Sequence, residues 1–375
     1  MIIGIPKETK NNENRVSLTP DKVEILTQNN HKVLIQENAG INAGFTDQEY
    51  TYAGASISTT AQNVYLKSNL IVKVKEPQIN EYKYLNKNTI IFCYLHLASN
   101  LELTSQLISK NVTSIAYETI TNPNGKLNLL YPMSEIAGKM AAHNSAQLLT
   151  NKYGGPGKLL GGVIGTLKAK VLIIGCGTVG TNAALLANNM GADVTVSDIN
   201  LNALNKIQEL SNGQIKTIYS SPANIKEVII TSDVVIGAVL IPGYKAPKVI
   251  TLDMIKKMKK NSVIIDVAID QGGCVEEIKP TTHENPTYLS NGIIHYAVTN
   301  IPGIVGNTAS ISLSNNTFPY VRDIADLGLK KLLKNKSFIN SNGINTYNGF
   351  ITNKEVALSL NKKYTTINNI LENNH

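Results

Sequence analysis

The sequence predicts an α/β protein built from two doubly wound parallel-sheet domains, and three features point there. Short apolar, β-branched runs alternate with helical stretches along most of the chain, the pattern of repeated βαβ units. Residues Lys168 to Asp198 read as strand, glycine turn, helix and strand, with Gly175-Cys176-Gly177-Thr178-Val179-Gly180 directly after the apolar run Ala169 to Ile174. The chain has 375 residues, 42% of them hydrophobic and 17% charged, enough for two domains with cores of their own.

In order, Ile2 to Ile5 is a strand, and a polar loop, Lys7 to Asn14, leads to Arg15. Thr19-Pro20-Asp21 opens a helix with a hydroxyl N-cap, a proline at the first helical position and an acid in the first turn. Lys32 to Gln36 is a second strand, and Thr46-Asp47 starts a helix that ends by Gly54. Leu70 to Lys75 is a strand that stops at Glu76-Pro77, and Thr89 to Tyr94 is another with His96 just beyond it. Leu101 to Lys110 is helical, and Ser114 to Tyr117 closes this first parallel sheet. Pro132-Met133-Ser134 begins a long helix to about Asn151, with Ser134 as N-cap. Gly154-Gly155-Pro156-Gly157 and Gly161-Gly162 then form a flexible connection to the second sheet. That sheet takes Ala169 to Ile174, Asp193 to Ser197, Val234 to Ala238, Ser262 to Val267 and Ile293 to Val298. Past Asn300-Ile301-Pro302-Gly303 the chain turns helical from about Ser310 to Leu333, and the tail packs back on the first domain.

The glycine turn has a physical reason at each position. Gly175 permits the tight turn, Gly177 lets the backbone approach a pyrophosphate, and Gly180 lets helix and strand pack closely. The helix N-terminus offers free N–H groups and the positive end of its dipole to the phosphates. Asp198, at the end of the following strand, is placed to accept hydrogen bonds from adenosine ribose hydroxyls. A phosphate-free βαβ turn is the plain structural alternative.

Composition narrows the class. No run of about 18 apolar residues occurs, so no transmembrane helix is expected. The N-terminus MIIGIPKETK lacks a basic n-region and a cleavage site and reads as a first strand, which makes the cytoplasm the expected location. Net charge is +8, but the basic residues are scattered apart from short clusters such as Lys256-Lys257 and Lys259-Lys260. Such clusters fit a solvated helix face, and no nucleic-acid surface is expected. Cys93, Cys176 and Cys274 lie far apart, as reduced thiols would, and suggest neither a zinc site nor a disulfide frame.

Open α/β sheets bind ligands beyond the carboxyl ends of their strands. Arg15 and His96 each follow a strand of the first sheet, Lys75 ends one, and Asp270 follows SVIIDV in the second. Two of the four are cations suited to an anionic substrate. Each also has a structural reading: a surface arginine, an edge-strand lysine, a hydrogen-bonded core histidine, a turn-capping aspartate. Glu118 and Asp266 read as structural.

The chain resembles the alanine dehydrogenase family, which it shares with the α subunit of nicotinamide nucleotide transhydrogenase. The stretches that carry the resemblance are IGIPKETKNNENRVSLTP, LIVKVKEP, FCYLHLA, SIAYET, PMSEIAG, VLIIGCGTVG, VIGAVLIPG, DVAIDQGGCVE and KPTTHENPTY, which span nearly the whole chain. The resemblance implies two Rossmann-like domains joined by long helices. A discontinuous substrate domain takes 1–131 and 305–375, and an NAD-binding domain takes 132–304. It implies reversible NAD-dependent oxidative deamination of L-alanine to pyruvate and ammonium, in a homohexamer without a metal. Arg15 and Lys75 would bind the substrate carboxylate, Met133 would wall the pocket, and His96 and Asp270 would transfer protons. Besides Gly175, Gly177, Gly180 and Asp198, the cofactor contacts it implies are Ser134, Thr178, Val179, Ser220, Val239, Leu240, Val267, Ala268, Ile269, Asp270, Lys279, Val298, Thr299, Asn300 and Ile301. A transhydrogenase-like NAD(H)-binding subunit is the alternative. The chain departs from the family pattern at Ala203, where a basic residue is usual. It departs again at Val305-Gly306-Asn307-Thr308-Ala309, where Val-Pro-(Arg or Lys)-Thr-Ser is usual and a looser, neutral turn is expected here.

Overall fold

The computed structural model describes residues 1–122, 125–239, 246–334 and 342–372. The chain forms two compact units, Met1–Met133 with Gly303–His375, and Ser134–Pro302. The first crossing lies inside the helix Tyr131–Leu148 and the second inside the 3-10 turn Ile301–Val305.

The first unit starts with six strands, β1 (Ile2–Ile5), β2 (Lys32–Gln36), β3 (Ser56–Ser58), β4 (Leu70–Val72), β5 (Ile90–Cys93) and β6 (Thr113–Ala116). The second unit holds β7 (Lys170–Ile174), β8 (Asp193–Asp198), β9 (Lys216–Tyr219), β10 (Val234–Gly237), β11 (Val263–Asp266), β12 (Thr287–Ser290) and β13 (Ile293–Tyr296). Two further strands, β14 (Ile344–Tyr347) and β15 (Phe350–Ile351), return to the first sheet. The sheet orders are β15-β14-β6-β5-β4-β1-β2-β3 and β12-β13-β11-β10-β7-β8-β9. Both are parallel except for β14 and β15 at one edge and β12 at the other sheet's edge. Each is therefore wound 3-2-1-4-5-6, and the strand order reverses between β1 and β4 in one and between β7 and β10 in the other.

Why these runs form central strands is visible in their packing. In β7, Val171 and Ile173 face one core layer, and Leu172 and Ile174 face another. The same alternation holds for Val234 and Ile236 against Val235, and for Val263 and Ile265 against Ile264. Successive strand residues point to opposite faces, so an uninterrupted apolar run requires helices on both sides. One face takes Ala141, Ala142, Ala183, Ala184 and Ala187, and the other takes Ile225, Ile229, Met254 and Ile255.

Several expected boundaries need correction. The expected strand Leu70 to Lys75 ends at Val72, although Lys73 N–H still reaches Phe92 O and Tyr94 N–H reaches Val74 O at 3.1 Å each. Ser134 is no N-cap: the helix begins at Tyr131, and Pro132 sits in the first turn, where a missing N–H costs nothing. Thr19 stands at the N-cap position, but its hydroxyl turns to Asp21 and Ser314 instead of the helix N–H groups. The expected flexible glycine connection is a chain of hydrogen-bonded turns. A Cβ on Gly155 would stand 2.2 Å from Leu148 O, so glycine there permits close backbone packing. The expected helix from Ser310 to Leu333 starts earlier, at Gly306, and is broken at Gly328 into Gly306–Leu327 and Leu329–Lys334.

Beneath the carboxyl ends of β1 and β4 lies a buried ionic network that the alternation of LIVKVK gives no hint of. Lys73 is fully buried, with Nζ 3.2 Å from both Glu8 Oε2 and Glu81 Oε1. Tyr65 Oη donates to Glu81 Oε1 at 3.1 Å, and Val74 N–H donates to Glu8 Oε1 at 2.6 Å. Glu13 and Arg15 form a second buried pair. Three acids thus face two bases, and burial disfavours the surplus negative charge. Glu8 responds most: burial pushes its carboxyl from 4.5 up to about 7, Lys73 opposes this, and Glu13 and Glu81 add to it. Burial alone would lower Lys73, but Glu8 and Glu81 outweigh it and keep the ammonium charged.

A stability signature follows. Between about pH 4.5 and 7 the folded state binds a proton at Glu8 that the unfolded chain has released. The stabilisation from this group is complete below that window and is lost as pH rises through it. Thermal unfolding followed across the window should show the midpoint falling with rising pH, and Glu8→Gln should remove part of that fall. An unchanged slope in Glu8→Gln would mean that the proton sits elsewhere.

Candidate active site

The two strands that flank the reversal in the first sheet deliver Arg15 and Lys75. Arg15, on the loop after β1, is buried; its Nε donates to Glu13 Oε1 at 2.6 Å, and Nη2 pairs with Glu13 Oε2. Nη1 lies 3.0 Å from Met133 Sδ, which places the expected pocket-wall residue against it. Burial works against the guanidinium charge, but Glu13 more than offsets this and holds Arg15 above its ordinary pKa. Lys75 is half-buried just beyond β4.

The segment bearing Arg15 is fastened along the helix Gly306–Leu327. Val16 N–H donates to Ser310 Oγ at 2.9 Å, Thr19 N–H donates to Ser314 Oγ at 3.1 Å, and Asn14 Nδ2 reaches Gly303 O at 3.1 Å. This corrects the expectation of a loose turn at 305–309. Gly306 opens the helix, a Cβ there would stand 2.8 Å from Asn14 O, and Asn307 Nδ2 donates to Ala43 O at 2.7 Å. Glycine allows the close approach, and the asparagine amide supplies a tether.

His96 is exposed and adopts a left-handed backbone, φ 51° and ψ 37°, which is uncommon outside glycine. Glu118 holds it there, accepting His96 N–H at 2.6 Å and Leu95 N–H at 3.2 Å. The imidazole stacks on Tyr94, centroids 6.2 Å apart and planes 11° apart. Tyr94 is itself anchored through its hydroxyl to Leu129 O at 2.5 Å. Glu118, read as structural from sequence, therefore sets the presentation of the histidine.

In the second unit the glycine turn leaves β7 as expected. Gly175 is at φ +101°, and a Cβ on Gly180 would stand 1.8 Å from Gly175 O, a position only glycine can fill. Above Gly177 nothing lies within 4 Å of where a Cβ would stand, which leaves the backbone open to a phosphate at the start of the helix Thr178–Asn189. Thr178 and Val179 form the first turn of that helix. Asp198 ends β8; one oxygen accepts Cys176 N–H at 2.5 Å and the other accepts Asn200 N–H at 2.7 Å. Ser220 follows β9 and donates its N–H to Asp198 O at 3.0 Å, and Val239 follows β10. The turn and its acid thus have the form that fits a dinucleotide.

Asp270 is exposed in the 3-10 turn Val267–Gln271 after β11, with Ala268 and Ile269 buried and Val267 half-buried. Its Oδ2 accepts Asn300 N–H at 3.4 Å, which brings the loops after β11 and β13 together. Val298 and Ile301 are buried, Thr299 is exposed, and Lys279 is exposed with its N–H on Tyr288 Oη at 3.0 Å. Ser134 is half-buried in the helix Tyr131–Leu148. Leu240 lies outside the described residues. Asp266, also read as structural, is fully buried and accepts Ala268 N–H at 3.0 Å and Val275 N–H at 3.1 Å. Among the described residues no three His, Cys, Asp or Glu side chains are grouped to hold a metal ion, and the three cysteines are buried free thiols.

Residues 4–137 match the family model for the alanine dehydrogenase/PNT N-terminal domain, and residues 141–354 match that for the C-terminal domain. An alanine dehydrogenase of Staphylococcus epidermidis is 49% identical over 373 residues, 99% of this chain and 100% of the relative. A solved L-alanine dehydrogenase superposes with a TM-score of 0.93 at 43% identity, covering 96% of this chain and 99% of the other. A transhydrogenase from Sinorhizobium meliloti, at 24% identity and a TM-score of 0.80, covers 94% of this chain and 99% of its own and shares the fold. With both domain models matched and the relatives aligned end to end, the chain belongs to the alanine dehydrogenase/PNT family.

Proposed function

We propose that this protein is an NAD-dependent dehydrogenase that interconverts L-alanine with pyruvate and ammonium. The observation that carries the reading is the pair of cations, Arg15 and Lys75, after the two strands flanking the reversal of the first sheet. A ligand carboxylate is what such a pair recognises, and the chain's full-length kinship is with proteins named alanine dehydrogenase. Arg15 is preorganised by Glu13 and Met133, so it loses little side-chain entropy on binding. His96, on its fixed left-handed turn, holds or releases a proton at the substrate oxygen, a task suited to an imidazole. Asp270 orients water or ammonia at the α-carbon. A nicotinamide held there would supply the hydride chemistry, and the chain's part is to position it. Gly175, Gly177 and Gly180, with the helix start at Thr178, would hold its pyrophosphate, and Asp198 its adenosine ribose.

The protein would act in the cytoplasm as a homohexamer. Support for self-assembly comes from residues 151–168, whose turns display Leu159, Val163, Ile164 and Leu167 with Ile164 wholly exposed. The tip is firm, Val163 N–H donating to Thr166 Oγ1 at 2.8 Å. Exposed apolar side chains clustered in one short segment fit a contact surface. Light scattering at micromolar concentration should give six chains per particle, and Ile164→Lys with Leu167→Asp should lower that number; a monomeric wild type would refute the assembly.

Cofactor choice should favour NAD over NADP. If Asp198 binds the adenosine ribose, a 2′-phosphate would come against it, and like charges brought together cost several kcal/mol, a ratio of kcat/KM on the order of 100-fold or more. Ala203 adds no cation, and no arginine follows Asp198 in the first turn of the helix Leu201–Leu210. Similar kcat/KM values for both cofactors would rule this assignment out.

The decisive experiment is alanine-dependent NADH formation in wild type, His96→Ala and Asp270→Asn. Each substitution should lower kcat by about 10²–10⁴-fold, the usual share of a general acid–base group, with the fold intact. NAD binding should survive in His96→Ala. Full activity in His96→Ala would sink the mechanism, and a wild type inert toward L-alanine would favour a transhydrogenase-like subunit instead.

A further inference from the structure

The loop that carries Asp270 is held in two ways. On the sheet side, Asp266 accepts the N–H groups of Ala268 and Val275 and lies 3.6 Å from Cys274 Sγ, so one carboxylate ties both ends of the loop. A second hold is Lys248, whose Nζ lies 2.7 Å from Gly272 O, 2.8 Å from Gly273 O and 2.9 Å from Val275 O. An ammonium has three N–H donors and no acceptor, and here each donor has a carbonyl. Gly272 and Gly273 are both left-handed, at φ +88° and +73°. Such a turn aims the negative ends of three peptide dipoles at one point, where they repel unless a cation lies between them. The segment bearing Lys248 is fixed to the same loop. Ala246 N–H donates to Gln271 O at 3.0 Å, Val249 N–H to Cys274 O at 2.9 Å, and Glu276 N–H to Ile250 O at 2.9 Å. Among the described residues Lys248 pairs with no carboxylate, so its charge serves the carbonyls.

We propose that Lys248 is a positioning residue for the reaction: its ammonium gathers the carbonyls of Gly272, Gly273 and Val275 and so fixes the turn on which Asp270 stands. The proposal rests on the assignment of Asp270 to the chemistry. A guanidinium would not replace it, because a planar fork cannot point three donors at one converging set of carbonyls as a compact ammonium does. Nor would a neutral stem of the same length.

The test is alanine oxidation by Lys248→Ala and Lys248→Met, with n-propylammonium added to each. Misplacing a reacting group by about an ångström costs up to about 100-fold, so kcat should fall at least about tenfold in both variants. The KM for L-alanine should stay near the wild-type value, since Arg15 and Lys75 are untouched. In Lys248→Ala, n-propylammonium should restore kcat saturably by refilling the carbonyl cage. Tetramethylammonium, with no N–H to donate, should not, and Lys248→Met should not respond because its stem fills the channel. A general loss of structure would not be reversed by a small amine. If Lys248→Ala fails to fold, failure of Lys248→Met to lose activity overturns the proposal. Wild-type kcat in Lys248→Ala, or a loss indifferent to n-propylammonium, overturns it as well. An inert wild type would overturn the reading of Asp270 and this proposal with it, whereas an active wild type with unaffected variants would overturn this proposal alone.

Discussion

The backbone N–H groups released where a parallel strand ends are the constraint on which the site depends. Each needs a partner, because buried and unsatisfied it would cost about 1–3 kcal/mol. In this chain a carboxylate supplies one at loop after loop. Glu8 accepts Val74 N–H beyond β4, and Glu118 accepts the N–H groups of Leu95 and His96 beyond β5. Asp198 takes Cys176 N–H beyond β7, and Asp266 takes those of Ala268 and Val275 beyond β11. The loops with candidate site residues are thereby given one conformation each. Charge-assisted bonds of this kind are stronger than neutral ones, which is what a left-handed residue such as His96 needs to stay in place.

The same device accumulates negative charge under the sheets, and the molecule answers it in two ways. In the first unit, Lys73 and Arg15 are buried beside Glu8, Glu81 and Glu13, and burial with the surplus negative charge raises the pKa of Glu8. In the second unit, burial raises the pKa of Asp266 while backbone N–H groups and Cys274 oppose the rise. There the balancing cation, Lys248, reaches the loop through carbonyls and not through the carboxylate. Arg15 is thus a charge already paired with Glu13, and Lys75, just beyond the neighbouring strand, is half-buried. Under the proposed function, an arriving carboxylate would meet a rigid, directional guanidinium and a compact ammonium.

Much of this was legible in the sequence. Central strands were readable because long apolar β-branched runs have few other homes, and β1, β2 and β7 fall almost where expected. The short edge strands β3 and β9 were not, since Ser56–Ser58 and Lys216–Tyr219 carry too little apolar pattern to stand apart from loops. Candidate site residues at strand ends were found by a topological rule that needs no side-chain geometry. Their supports escaped. Lys73 and Lys75 look alike in LIVKVK, yet one is sealed in an ionic network and the other is half-buried, a distinction set by partners 8 and 65 residues away in Glu81 and Glu8.

Gly306 and Asn307 show why such supports are hard to read. From sequence, losing a proline and a cation suggests a looser turn. In the fold, helix entry needs neither: Gly306 lets the helix sit against Asn14, and the Asn307 amide tethers it to Ala43. The serines of the next turns, Ser310 and Ser314, then accept the N–H groups of Val16 and Thr19. The order of the Arg15 segment is therefore set by small polar residues at helical spacing; Ser310 accepts from Val16 while its hydroxyl donates back to Gly306 O at 2.6 Å. A substitution that looks like loosening at the level of turn chemistry can be neutral or better when the surface it meets is backbone, because backbone offers carbonyls to an amide and room only to a glycine.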